Sequence, residues 1–164
     1  MLIREATPDD VTAIHQMIIE LAVYEKEPDA VLASEADLQK ALFSDEKSRN
    51  GAPAAFAHVA EVDGEVIGFA LWFLNYSTWL GKHGIYLEDL YVKPEYRGQG
   101  AGKALMQKLA AIAVERGYGR FEWWVLDWNS PAIEFYRAHG AQAMDEWTVY
   151  RLSGEALKKM ANEG

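Results

Sequence analysis

Apolar residues recur along the chain in two periods, one typical of helices and the other typical of strands. Residues 2–6, LIREA, predict a short strand. Residues 11–21 carry apolar positions at helical spacing, and Thr7 to Asp10 before them have the capping residues and the proline of a helix start. A second helix is predicted to begin at Ser34. This part of the chain is therefore expected to form one strand followed by two helices.

The middle of the chain predicts a sheet. Two apolar runs, residues 54–62 and 65–74, flank Asp63-Gly64, a pair typical of a tight hairpin turn. The run GIYLEDLYV, residues 84–92, is almost continuous in apolar residues, which predicts a strand covered on both faces. The polar segment 44–54, which contains Gly and Pro, predicts a loop.

The last third of the chain returns to alternating elements. Residues 101–112 carry a helical apolar stripe that Gly117 can end, and residues 120–128, RFEWWVLDW, predict a strand. Residues 130–140 predict a short helix, and WTVYRL, residues 147–152, predicts a last strand. Together these patterns predict an α/β fold in which helices flank a single mixed, mostly antiparallel sheet.

Composition narrows the class of protein. A chain of 164 residues, half of them hydrophobic, can bury one good core, so we expect a single domain over residues 1–164. No apolar run approaches the roughly 20 residues that span a bilayer, and the first residues are acidic, so we expect no membrane partner and a cytoplasmic location. The absence of cysteine excludes disulfides and thiolate chemistry.

The net charge of the chain limits the classes of partner that we expect. The net charge is −9, from 25 acidic and 16 basic residues, which disfavours nucleic acid and favours a cationic or neutral partner. The four histidines have no ligand-like spacing, so we expect no metal.

The segment YVKPEYRGQGAGKAL, residues 91–105, has glycines between a predicted strand and a predicted helix. Such a turn presents unpaired amides and the positive end of a helix dipole to an anion, most naturally a phosphate. The spacings of a P-loop and of a dinucleotide-binding loop both fail here, and Arg97-x-x-Gly100-x-Gly102 remains. An ordinary turn that needs glycine for its backbone angles is the alternative.

This glycine segment resembles the acyl-CoA loop of the GNAT superfamily of N-acyltransferases, and WNSPAIEFYRAHGA, residues 128–141, resembles a later GNAT segment. In more detail, ELAVYEKE, TWLGKHGIYLEDLYV, YRGQGAG and WNSPAIEFY are similar to the diamine (spermidine/spermine) acetyltransferases and their thialysine acetyltransferase relatives. The resemblance extends from Ile3 to about Met160. It implies a GNAT fold, acetyl-CoA as co-substrate, a small cationic amine as acceptor and a homodimer.

The resemblance also implies a co-substrate channel. Loop amides would hold the pyrophosphate, and main-chain groups of the preceding strand would pair with the pantetheine arm. Arg97 would either add charge or shape the turn, while Asn129 and Ser130 would complete the channel or serve only as turn and cap residues. The residues expected to bind acetyl-CoA are Leu90, Tyr91, Val92, Arg97, Gly98, Gln99, Gly100, Ala101, Gly102, Lys103, Asn129 and Ser130.

Transfer to an amine requires a base, because a primary alkylamine with a pKa near 10.4 is almost entirely an ammonium ion at pH 7. Glu88 and Asp89 are adjacent in an apolar strand and should point to opposite faces, so at most one is expected to face the acceptor. By resemblance we assign Glu88, acting through water, as base and amine ligand, and Asp89 as a structural carboxylate satisfied by local donors. A buried ion pair is the alternative for Glu88.

Tyr136 is the acid that the resemblance assigns to the departing thiolate, and the alternative is a core tyrosine packed beside Phe135. Carboxylates beside aromatic rings suit an alkylammonium acceptor such as a polyamine, a diamine or a lysine analogue. A protein acetyltransferase acting on an N-terminus or a lysine, and a non-catalytic acyl-CoA sensor, remain alternatives. The residues expected to bind the acceptor are Tyr24, Glu25, Glu88, Trp123, Trp124 and Glu146, the last beside a strand that could pair across a dimer.

Overall fold

The computed structural model describes residues 1–43 and 54–162. The predicted loop at 44–54 lies almost wholly outside the described residues. Short 3-10 turns at Pro8–Asp10 and Pro94–Tyr96 precede the first and third helices. The elements, in chain order, are β1 (Leu2–Glu5), α1 (Val11–Tyr24), α2 (Glu35–Phe43), β2 (Phe56–Val62), β3 (Glu65–Ser77), β4 (Lys82–Val92), α3 (Ala101–Glu115), β5 (Phe121–Trp123), α4 (Ser130–Ala138) and α5 (Gly154–Asn162).

The described strands form one sheet in the order β1-β2-β3-β4-β5. The first three pairings are antiparallel, and β4 pairs with β5 in parallel, so the sheet is mixed and mostly antiparallel, as predicted. Asp63 and Gly64 join β2 to β3 with φ angles of 50° and 83°. Left-handed angles at both central residues are the signature of a type I′ hairpin turn, so the predicted hairpin is confirmed.

The core lies on both faces of the central strands. On one face, Leu105 and Leu109 of α3 pack with Trp72 and Ile85 of the sheet. On the other face, α1 and α2 cover a second cluster that contains Ile14, Met17, Phe69 and Tyr91. Burial of both faces explains why the sequence of β4 reads as an almost continuous apolar run.

The chain divides into two compact units, Met1–Trp124 and Val125–Gly164. The first holds the whole described sheet, whereas the second contributes α4 and α5, and none of its described residues is buried. The predicted strand at 147–152 is wrong, since that segment has no regular structure, and the strand predicted over 120–128 is confined to Phe121–Trp123. Alternating β-branched and aromatic residues favour a strand but do not supply a partner edge. No helix in the described ranges has the length and apolar character needed to cross a membrane.

Candidate active site

A glycine-rich loop joins β4 to α3. Gly98 and Gly100 have φ angles of 76° and 84°, a left-handed region that glycine adopts without strain, and Gly100 is the N-cap of α3. No backbone amide of residues 98–103 donates a hydrogen bond to any other residue that the structure describes. The positive end of the α3 dipole therefore coincides with a run of unpaired N–H groups, an arrangement that binds anions.

Gly102 differs from the other two glycines, because nothing among the residues that the structure describes requires a glycine there. Its φ angle is not positive, and a Cβ built there would meet only Val92 Cγ2, at 3.9 Å. The space that a side chain would fill is therefore open beside the unpaired amides. A glycine in this position lets a ligand approach the backbone closely, so the loop fits the pyrophosphate of acetyl-CoA.

β4 has an edge that no described strand covers. The strand pairs with β3 along its length, but it pairs with β5 only through Ile85–Leu87. We call residues 88–92 the open edge of β4. Leu90, Tyr91 and Val92 lie on it, so its main-chain groups suit the amides of a pantetheine arm. The Val92 carbonyl is already engaged, because it accepts a hydrogen bond from Arg97 Nε at 2.8 Å.

The two cations beside the loop are held by protein groups. Lys93 Nζ lies 2.6 Å from Glu65 Oε1. The Arg97 guanidinium lies over two rings, with Cζ at 5.4 Å from the centroid of Tyr24 and 5.3 Å from that of Tyr91. Of the two roles left open for Arg97, these contacts favour shaping the turn.

Glu88 occupies a β-bulge at the start of the open edge. Leu87 pairs with Trp72 and Asp89 pairs with Leu71, so Glu88 is an extra residue in β4 with no partner in β3. Its side chain is exposed, and the alternative of a buried ion pair is wrong. The bulge presents the carboxylate to solvent at the point where β4 leaves β5.

Three carboxylates interact around this bulge. Burial, and then the negative charges of Glu88 and Glu25, raise the pKa of Asp89 to about 7. Desolvation, and then Glu88, raise the pKa of Glu25. The expectation that the two adjacent acids point to opposite faces is therefore wrong, because a bulge breaks the alternation of side chains. We call Glu25, Glu88 and Asp89 the carboxylate cluster.

Asp89 is not the structural carboxylate that the sequence suggested. Its half-buried side chain has no hydrogen bond to any residue in the ranges 1–43 and 54–162. Desolvation raises the pKa of an acid that no hydrogen-bond donor stabilises in its charged form. Such an acid is suited to proton exchange near neutral pH. The described side chains contain no group of three acids or histidines placed to hold a metal ion.

The aromatic residues predicted to bind the acceptor lie in different environments. Trp123 packs with Phe121, with ring centroids 5.0 Å apart, against the core on the α3 face of the sheet. Trp124 is 57% exposed and meets Tyr86 edge-on at 5.8 Å. Tyr24 lies at the end of α1 beside Arg97, so it is not brought together with Trp123.

The remaining predicted residues belong to the C-terminal unit. Asn129 occupies the N-cap position of α4 and Ser130 is the first residue of that helix. Tyr136 lies in α4, half-buried, with its ring 5.7 Å from that of Phe135. Glu146 is exposed.

Comparison with known proteins agrees with this geometry. Residues 16–141 match the family model described as Acetyltransferase (GNAT) family. A thialysine N-epsilon-acetyltransferase from Bos taurus is 40% identical over 171 residues, covering 99% of this chain and 98% of the relative. An L-ornithine N5-acetyltransferase from Arabidopsis thaliana is 35% identical, covering 95% of this chain and 86% of the relative.

A solved structure has the same fold. An integron cassette protein from the mobile metagenome of V. cholerae superposes with a TM-score of 0.79 and 29% identity, covering 99% of this chain and 98% of that one. The family model alone spans more than half of this chain. The chain therefore belongs to the GNAT family of acetyltransferases.

Proposed function

We propose that the protein moves an acetyl group from acetyl-CoA directly to the primary amine of a small cationic acceptor, namely a polyamine, a diamine or a lysine analogue such as thialysine. The observation that carries the proposal is the carboxylate cluster, because two of its members, Glu88 and Asp89, lie on the open edge of β4 that leads to the glycine-rich loop, and Glu25 at the end of α1 interacts with both. A cluster of acids attracts an ammonium group, and a carboxylate with a pKa near neutrality can exchange its proton.

The residues of the loop, the open edge and the carboxylate cluster then have chemical tasks. The amides of residues 98–103 hold the pyrophosphate, and the open edge of β4 pairs with the pantetheine arm. Glu88 takes the ammonium proton through a water molecule, while Glu25 and the ionised form of Asp89 add the negative charge that holds the amine. Tyr136, assigned by resemblance, donates a hydrogen bond to the thiolate as it leaves.

The relatives indicate which acceptors to test first. Relatives at 40% and 35% identity carry the names of thialysine and ornithine acetyltransferases, and both of those acceptors are amino acids with a terminal amine. Amino acids of this kind therefore come before polyamines in the test, and the carboxylate cluster suits the terminal ammonium of either class.

An acceptor panel tests the proposal. Wild-type protein and acetyl-CoA are incubated with thialysine, ornithine, lysine, putrescine, spermidine and a peptide with a free N-terminus, and release of free CoA is followed. We expect turnover with at least one small amine, reduced about 10²-fold in Tyr136→Phe, which removes only a hydroxyl. Turnover with the peptide alone would favour a protein acetyltransferase, and binding of acetyl-CoA without turnover would favour a sensor.

We also propose that the chain works as a homodimer, as its resemblance to the diamine acetyltransferases implies. Large apolar side chains, among them Trp147, Tyr150 and Leu157, are exposed in the C-terminal unit, and a second copy could cover them. Light scattering at micromolar concentration should then give about twice the 18.4 kDa mass of one chain. A fully active monomer would contradict the proposed dimer but not the proposed acetyl transfer.

A further inference from the structure

Arg97 belongs to the co-substrate loop, but its side chain contacts residues of α1 and β4. Its Cζ lies 5.4 Å from the ring centroid of Tyr24 and 5.3 Å from that of Tyr91, and its Nε donates to the carbonyl of Val92 at 2.8 Å. A guanidinium between two aromatic faces is stabilised by cation–π attraction and by its planar shape. These contacts fix the orientation of the guanidinium within the protein.

The network continues into α1. Burial, and then Glu20, raise the pKa of Tyr91, and Glu20 lies one helical turn before Tyr24. The same residues line one groove between α1 and the loop. Arg97 therefore links the segment that follows β4 to the last turn of α1 through its contact with the Tyr24 ring.

The last turn of α1 is also where the carboxylate cluster begins. Tyr24 is the final residue of the helix and Glu25 is its C-cap, with the Glu25 amide bonded to Leu21 O at 2.9 Å. Lys26 follows at a φ of 65°, a left-handed angle that ends the helix at this point. Anything that fixes Tyr24 consequently fixes where the carboxylate of Glu25 lies relative to Glu88.

We propose that Arg97 is a positioning residue for the acceptor, although it belongs to the co-substrate loop. It holds the end of α1 so that Glu25 joins Glu88 and Asp89 around the incoming ammonium. This inference rests on the acceptor role proposed for the carboxylate cluster. It assigns pyrophosphate binding to the loop amides alone.

Arg97→Lys tests the inference, because it keeps the positive charge and removes the planar group and its Nε donor. We expect KM for the amine to rise roughly tenfold, with kcat and the dissociation constant for acetyl-CoA within about twofold of wild type. Tyr24→Leu should reproduce this pattern, and the double variant should be no worse than either single one, because both remove the same contact. Tyr24→Phe, which keeps the ring over which Arg97 lies, should raise KM for the amine less than Tyr24→Leu does.

The opposite pattern would overturn the inference. If Arg97 binds phosphate, Arg97→Lys or Arg97→Ala will weaken acetyl-CoA in calorimetry while KM for the amine stays unchanged. Equal losses for both substrates, or additive effects of the two single variants, also contradict a positioning role.

Hydrogen exchange separates this inference from the proposed function. Residues 20–25 should exchange faster in Arg97→Lys than in wild type, whichever amine is the acceptor, and unchanged exchange there would overturn the inference. If the wild type acetylates no amine but exchange at residues 20–25 responds, the contact is real and it is the proposed function that fails.

Discussion

The two ends of the open edge of β4 offer different chemical groups to a ligand. At the α3 end, the groups available to a ligand are backbone amides, whose partial positive charge does not depend on pH. At the bulge end they are the carboxylates of Glu88, Asp89 and Glu25, and the pKa of Asp89 lies at about 7. Co-substrate binding should therefore change little with pH, whereas the reaction of the acceptor should change strongly.

The largest effect is expected from a substitution at the bulge end of the open edge. Glu88→Gln keeps the size of the side chain and removes the proposed base, so only the rare neutral amine reacts. We expect kcat/KM at neutral pH to fall by about 10²-fold and its pH profile to move to higher pH, as measured by initial rates across pH. Acetyl-CoA affinity in calorimetry should not change.

The matched control for this variant is Glu27→Gln, which removes an exposed acid just beyond α1 that has no assigned role. It should leave both the rate and the profile unchanged. A Glu88→Gln variant with a wild-type profile would remove Glu88 from the mechanism and leave Asp89 as the candidate base.

A smaller effect is expected from breaking the loop end. Gly102→Val places a side chain in the space where the pyrophosphate would approach, and the fold should tolerate it because only Val92 lies near, at 3.9 Å. The dissociation constant for acetyl-CoA should rise at least about tenfold at every pH tested. Ala110→Val, on the exposed side of α3, carries the same β-branched cost in a helix and should not change binding. Unchanged affinity in folded Gly102→Val would count against the loop.

The smallest expected effect concerns how the stability of the fold depends on pH through Asp89. The raised pKa of Asp89 means that the folded state holds this proton more tightly than the unfolded chain, in which the pKa is near 3.8. The resulting stabilisation is complete below that value and is lost as pH rises through about 7. Asp89→Asn removes the titration, so its unfolding free energy relative to wild type should grow by about 1 kcal/mol or more between pH 4 and pH 8. Denaturant unfolding at the two pH values measures this, and a constant difference would contradict the raised pKa.

The features that sequence predicted well are those set by a few neighbouring residues. Asp63-Gly64 announces its turn because both positions need left-handed angles. The glycines before α3 predict a turn for the same reason, since Gly98 and Gly100 have left-handed angles, and the apolar stripe of α3 is buried as its spacing predicts. Local chemistry was enough to find the hairpin, the helix and the loop.

The features that sequence missed depend on distant partners. The bulge at Glu88 exists only through the register between β3 and β4, so the adjacent acids looked like an alternating pair. The position of Arg97 depends on Tyr24, which is far from it in sequence. The pattern of residues 147–152 favoured a strand, but pairing is not written in the segment itself.

The extra residue at Glu88 also sets the parity of β4. Before it, the odd-numbered Ile85 and Leu87 pack on the α3 face, and after it the even-numbered Leu90 and Val92 do so. Deleting Glu88 would leave Leu87–Trp72 and Asp89–Leu71 as neighbouring pairs of a regular ladder, so Leu90 would stay on the α3 face and Tyr91 on the α1 face. Such a deletion would therefore remove the carboxylate and the bulge together and leave the two layers of the protein in place.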